Sequence, residues 1–314
     1  MNCSSSADNQ TIFQPIVIFR TVTNLFVFCV GLPVNCLAIY GLCRLVKSGM
    51  AVPVYVINLL VSDLLQLAVK PVLIARRLSP CPGLQLQRAY AASKMIHFFG
   101  LCGSIWFMVC IALERYLVVG RPLWYRSHRG LWRTGLVSLA VWAFTLAVGG
   151  LYVLGHLVVT VSEGAELLFL LIPYFLPFPL LVSSCAATGR ALSGPGAGVV
   201  SARERRRVLQ TLGLVLGGYA VLFLPRYLAR WLLWAKGDSR PAQLFYRVTG
   251  ELVGLNPLLD PVLYILVRKD VSSRLGCPSC CGRPTGRAAS GEPLDTGPED
   301  GETERTLSCV VSSV

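Results

Sequence analysis

Asp63 and Asp260 are carboxylates placed where charge is costly. The first closes Asn58-Leu59-Leu60-Val61-Ser62-Asp63, and the second lies inside Asn256-Pro257-Leu258-Leu259-Asp260-Pro261-Val262-Leu263-Tyr264, both within long apolar runs. An ionisable group set so deep turns toward an interior and acts there. A second set is cationic. Lys94 and His97 are three apart and Arg226 and Arg230 four apart, so each pair shares one helix face. Lys70 follows Asp63 by two helical turns, which places it about 10 Å further along the axis. Arg247 precedes Glu251 by one turn. Basic groups in that excess over acid would take an anion, whether a carboxylate, a phosphate or an acidic lipid headgroup. Lys70, Lys94, His97, Arg226, Arg230 and Arg247 are the expected contacts. Each also has a plainer reading. Arg247 can pair with Glu251, Lys94 can reach the headgroups, Arg230 can stack on Trp231 or Trp234, and His97 can be a hydrogen-bonded core histidine.

These groups need elements to hold them, and the composition points to one kind. The chain of 314 residues is 54% hydrophobic and 14% charged, with a mean hydropathy of +0.60. That excludes a soluble domain. Windows long enough for the roughly 20 apolar residues that cross a bilayer fall at 15–43, 52–78, 90–118, 133–156, 167–192, 207–235 and 243–267. The fold class expected is an all-α membrane protein, a bundle of seven transmembrane helices. Pro173, Pro177 and Pro179 lie in the fifth window, where neighbouring helices must satisfy the carbonyls that proline frees. The chain divides into an outer tail (1–14), the bundle (15–268), a juxtamembrane segment (269–281) and a polar tail (282–314).

The net charge of +13 does not imply nucleic acid, because the cations gather on one side of the windows. Arg44 and Lys47, Arg121 to Arg133, Arg203 to Arg207 and Arg268 to Arg274 fall on that side. The positive-inside rule makes it the cytoplasm and puts the N-terminus outside, with the plasma membrane the expected location. The glycosylation sequons at Asn2 and Asn9 fall on the predicted outside. No basic region or cleavage site precedes the first window, so it is expected to serve as an uncleaved anchor.

Motifs on successive windows carry a resemblance. Gly31-Leu32-Pro33-Val34-Asn35 stands on the first, Asp63 on the second, Glu114-Arg115-Tyr116 at the end of the third and Trp142 on the fourth. Phe223-Leu224-Pro225 stands on the sixth and Asp260-Pro261-Val262-Leu263-Tyr264 on the seventh. In that order they resemble the rhodopsin-like family of G-protein-coupled receptors over about residues 20–275. Val30-Gly31-Leu32-Pro33, Glu114-Arg115-Tyr116-Leu117 and Arg121-Pro122-Leu123-Trp124-Tyr125 are most similar to its branch of free-fatty-acid, proton-sensing and nucleotide receptors.

The resemblance implies a receptor that activates a heterotrimeric G protein and performs no covalent chemistry. Glu114, Arg115 and Tyr116 would couple to the G protein, with Arg115 locked by Glu114 at rest. Phe223, Pro225, Asp260, Pro261 and Tyr264 would form the activation switch. Asp63, Asn35, Asn256 and Asp260 would converge on a polar cluster that in the family holds a sodium ion. Here Asp63, Asn256 and Asp260 would be the ligands, two carboxylates supplying the charge a hard cation needs; a packing network without an ion is the alternative. The family's disulfide at the outer end of the third helix is absent, since that position is Tyr90 and residues 156–170 contain no cysteine. Cys3 and Cys81 are the cysteines on the oxidising side; they either pair or stay free. Phe223 replaces the commoner tryptophan, and Ser184, Cys185 and Ala186 stand where the fifth helix often has a tyrosine.

On the inner side, Arg203-Glu204-Arg205-Arg206-Arg207 suits anionic lipid and an acidic G-protein surface. Arg268 to Leu275 is amphipathic, a short eighth helix along the inner leaflet. Cys277, Cys280 and Cys281 follow it as palmitoylation sites; a metal knuckle there would lack a histidine. Thr296, Thr303, Thr306 and Ser308 are candidates for phosphorylation and arrestin binding, and Ser312-Ser313-Val314 suits a PDZ domain. The expected function is a receptor for a small anionic ligand; the short third inner loop suggests signalling through the Gi class. A seven-helix decoy or trafficking scaffold without signalling is the competing class. No inverted repeat and no protease or hydrolase string supports a transporter or an enzyme.

Overall fold

The computed structural model describes residues 7–47, 53–79, 82–128, 130–158, 173, 175–193, 202–237 and 239–263. Among these residues the regular elements are α-helices, with π-helical backbone at 173 and 175. The first helix, Ala7–Lys47, runs past its window at both ends. The second is Val54–Ala68, a turn at Val69, then Lys70–Leu78. The third, Leu84–Gly120, is unbroken. A short helix, Pro122–His128, follows it before the fourth, Leu131–Val158. The fifth includes Pro177–Ser193. The sixth is Ala202–Leu222 and Leu224–Lys236, and the seventh Arg240–Val253 and 256–263.

Prolines explain the three breaks. Pro71, Pro225 and Pro257 lack the N–H that would bond one turn back, and the helix is interrupted two or three residues before each, at Val69, Phe223 and Gly254-Leu255. The backbone recovers quickly: Phe223 N–H donates to Tyr219 O at 2.9 Å and Tyr227 N–H to Phe223 O at 3.2 Å. The sixth helix therefore bends rather than ends.

Five stretches are long and apolar enough to cross a bilayer among the described residues: Pro15–Arg44, Val54–Leu78, Leu84–Gly120, Leu131–Leu151 and Arg205–Lys236. The longest unbroken described pieces of the fifth and seventh helices are shorter, at 17 residues for Pro177–Ser193 and 14 for Arg240–Val253. Large apolar side chains point outward around the bundle, among them Leu37, Tyr40, Leu139, Leu146 and Val221, each at least 60% exposed. Such a surface suits lipid.

The third helix is the axis. From Gly100 to Ala112 every residue but Trp106 is buried. Gly100 and Gly103 let the second helix approach closely. A Cβ on Gly100 would stand 2.8 Å from the Ser62 carbonyl oxygen, and one on Gly103 would stand 2.7 Å from Ser62 Oγ. On the far side Phe107, fully buried, meets Trp142 edge-on at 5.4 Å. Trp142 donates from Nε1 to Asn58 Oδ1 at 2.9 Å, so the indole ties the fourth helix to the second.

Candidate functional site

Halfway through the bundle the breaks and packing bring polar side chains together. Asn35, Asp63, Gln66, Ser104, Asn256 and Asp260 are all at most 1% exposed. Asp63 Oδ1 accepts from Ser104 Oγ at 3.2 Å and from Gln66 Nε2 and Asn256 Nδ2 at 3.4 Å. Asn256 Nδ2 also donates to Asp260 Oδ2 at 2.9 Å. Asn35 joins through backbone, donating to Gly31 O and Pro257 O at 2.8 Å each, and so pins the first helix to the seventh beside its break. Asp63 Oδ2, Asn35 Oδ1, Gln66 Oε1 and Asn256 Oδ1 are buried with no hydrogen-bond partner. Every one is an acceptor. Acceptors of this kind beside two carboxylates suit a hard cation or water. Among the described residues no three His, Cys, Asp or Glu side chains cluster as a metal site.

A small cavity adjoins this cluster between the third, sixth and seventh helices, lined by Met108, Val215, Gly218, Leu222, Asn256 and Asp260. Phe223, 1% exposed, closes the layer above and stacks on Tyr219 at 5.2 Å, which stacks on Phe178 of the fifth helix at 5.9 Å. The aromatic at the sixth-helix bend is thus linked through Tyr219 to the fifth helix.

At the inner end of the third helix the expected lock takes another form. Glu114 Oε1 accepts from Tyr125 Oη at 2.8 Å, and among the described residues no ion pair joins Glu114 to Arg115. Adjacent residues on a helix point about 100° apart, whereas Tyr125 reaches back from Pro122–His128 toward the carboxylate. Arg115 Nε is buried without a partner.

The contacts of the outer cations fall into three sets among the described residues. Glu251 pairs with Arg20 Nε at 2.6 Å and Arg77 at 3.4 Å, and accepts from Asn24 Nδ2 at 2.7 Å. These ion pairs replace the expected one with Arg247 a turn earlier. The carboxylate is 7% exposed and faces the first and second helices, where tertiary partners outcompete a neighbour on its own helix. Lys70, 2% exposed, donates to Asn24 Oδ1 at 2.9 Å and belongs to the same group. Arg226 and Arg230 lie over the ring of Tyr246 at 3.4 Å and 5.9 Å, and Arg226 Nη1 donates to the Tyr246 carbonyl. Arg230 thus meets Tyr246 rather than Trp231 or Trp234. Arg76 and Lys94 each stand 5.7 Å from the ring centre of Tyr90. His97 Nδ1 is buried without a partner.

Arg20, Asn24 and Arg77 are not among the residues that sequence patterning singles out. One signal was present: the seven-residue step from Asp63 to Lys70 leads on to Arg77. Asn2, Cys3, Cys81, Tyr264, Cys277, Cys280, Cys281 and the terminal Ser312-Ser313-Val314 lie outside the described residues, as does the side chain of Asn9.

Comparison with known proteins converges on one family. The family described as "7 transmembrane receptor (rhodopsin family)" matches residues 34–264. The chain is 32% identical over 247 residues to "G-protein coupled receptor 20" of Homo sapiens, covering 77% of this chain and 66% of that receptor. It is 30% identical to a purinoceptor of Rattus norvegicus, covering 76% of this chain and 71% of the other. It is also 30% identical to "Free fatty acid receptor 3" of Homo sapiens, covering 76% and 74%. With its helical bundle, its proline breaks and its buried acidic cluster, the chain belongs to the rhodopsin family of seven-transmembrane, G-protein-coupled receptors, multi-pass membrane proteins that signal and are not enzymes.

Proposed function

We propose that this receptor is activated by a small anionic ligand entering the outer half of the bundle and signals through a heterotrimeric G protein of the Gi class. The supporting observation is the set of cations there: Arg226, Arg230 and Arg247 are half-buried on the sixth and seventh helices. Two relatives are named for a purine and for fatty acids, the latter carboxylates at neutral pH. The N-terminus would face outward at the plasma membrane. Arrestin, a PDZ domain at Ser312-Ser313-Val314, glycans on Asn2 and Asn9, and palmitate on Cys277, Cys280 and Cys281 complete the proposal.

A G-protein dissociation panel in cells, with acidic lipids, short carboxylates and nucleotides, tests it. Arg226→Ala and Arg230→Ala are each expected to lower agonist potency about tenfold, the loss of one charge-assisted hydrogen bond, with surface expression kept. Arg230→Lys should recover part of the loss, because an ammonium keeps charge but not the fork. A neutral or cationic agonist whose potency ignores both arginines would overturn the ligand class.

The central cluster carries its own proposal. Asp63, Asn256 and Asp260 would hold a sodium ion, which would supply the positive charge their oxygens lack. Sodium bound to this arrangement is expected to stabilise it. Concentrations tenfold above Kd give about 1.4 kcal/mol. Purified receptor should therefore melt higher in sodium than in a large organic cation, and Asp63→Asn should erase the difference. Equal melts, or a difference that persists in Asp63→Asn, would leave a packing network only.

A further inference from the structure

Among the described residues, the group around Glu251 does not balance its charge. Arg20, Lys70 and Arg77 bring three cations to one carboxylate at the outer ends of the first, second and seventh helices. Lys70 is the deepest of them. Among the described residues, Asn24 Oδ1 at 2.9 Å is the single acceptor within hydrogen-bond distance of this ammonium, which has three N–H groups. Gly254 makes room for it: a Cβ there would stand 3.3 Å from Lys70 Nζ. From the third helix His97 lies in electrostatic range of both Lys70 and Arg77, and its buried Nδ1 meets no partner. Arg77 spends Nη1 on the Arg20 carbonyl at 2.9 Å and Nη2 on Glu251. The side chains of Arg20 and Arg77 are 33% and 17% exposed, so the open face of the group points outward while Lys70 forms its floor.

We propose that Arg20, Lys70, Arg77 and His97 form a binding site for a doubly charged oxyanion, a phosphate monoester or a dicarboxylate, with Glu251 as its built-in counter-ion. Two further negative charges bring the group to neutrality, which a monocarboxylate cannot do. The guanidinium forks suit paired oxygens, Lys70 supplies a point charge beneath them, and a neutral His97 can donate from Nδ1. Glu251 sets the selectivity: its single charge keeps the site two short of balance rather than three. The arginines stacked on Tyr246 are not part of the site, and it would bind a dianion whatever the chemistry of the agonist.

Melting curves of the purified full-length receptor near neutral pH test this, at fixed ionic strength in chloride, acetate, malonate or phosphate. Malonate and phosphate are expected to raise the melting temperature by roughly 2–5 °C for each tenfold increase above Kd, and acetate and chloride to do much less. Lys70→Met and Arg77→Gln should each remove the increment. Because Lys70→Met also strips Asn24 of its donor, Arg77→Lys is a gentler variant; it keeps the charge, loses the fork, and should retain part of the effect. Glu251→Gln should tighten phosphate about tenfold and admit acetate, as expected when one opposing charge is removed. Repeating the melts in nanodiscs with and without phosphatidic acid separates two sources of the dianion: stabilisation by that lipid beyond inorganic phosphate assigns the site to a headgroup, and the reverse assigns it to a solute. The same melts in all four anions would overturn the proposal, as would a phosphate effect that persists in both Lys70→Met and Arg77→Gln. Neither result touches the potency test of Arg226 and Arg230, since no agonist is involved.

Discussion

Arg115→Ala is expected to abolish G-protein activation, bringing every reporter down to the level of cells without the receptor while the protein still reaches the surface. The reason lies in what holds its neighbour. Glu114 is taken by the Tyr125 hydroxyl at 2.8 Å, so the guanidinium is not neutralised by the carboxylate beside it. Arg115 Nε has no partner within the bundle. A cation at the inner face with unspent donors can engage carbonyls or carboxylates of a partner, and each such contact to a charged group contributes about 1.5–3 kcal/mol. Losing two would remove coupling altogether. Tyr125→Phe should act in the same direction but more weakly. It releases Glu114, lets it draw on Arg115, and lowers agonist-independent signalling without removing the agonist response. Equal signal from Arg115→Ala and wild type, above background, would move the chain from receptor to scaffold.

Phe107→Ala is expected to cost about 3–5 kcal/mol and to remove the receptor from the cell surface. The ring is fully buried on the central helix and braces Trp142, which in turn is hydrogen-bonded to Asn58. Its loss opens a cavity where the second, third and fourth helices meet, with Ser62 already packed against Gly100 and Gly103 and unable to follow. Phe107→Leu keeps most of the volume and should cost less than about 1.5 kcal/mol. Thermal melts of the two variants in one detergent decide it. A Phe107→Ala protein that melts with wild type would mean that the third helix is not the axis of stability described above.

The buried acids and the bends were legible in the sequence for the same reason: each rests on one residue type in an apolar window. A carboxylate at Asp63 or Asp260 has nowhere to go but inward, and proline at 71, 225 or 257 removes a backbone bond whatever surrounds it. The outer charges were not legible, because their partners are far apart in the chain. Arg20 and Glu251 are separated by 231 positions and Arg77 and Glu251 by 174. A one-turn rule therefore offered Arg247 to a carboxylate that faces two other helices. Tyr125 escaped notice likewise; its hydroxyl reaches Glu114 only because Pro122–His128 folds back as a helix beneath the third. Arg226 and Arg230 were rightly paired on one helix face, yet the aromatic they meet, Tyr246, lies on the next helix.

Tyr90 stands where relatives with the family's covalent bridge carry a sulfur, and it gathers Arg76 from the second helix and Lys94 from its own turn onto one ring. Contacts of this kind are worth about 0.5–1 kcal/mol each where water reaches them. They form and part quickly, and thiol reagents do not affect them. At Tyr90 the second and third helices thus meet in a soft joint, one that yields to crowding by salt and to thermal motion.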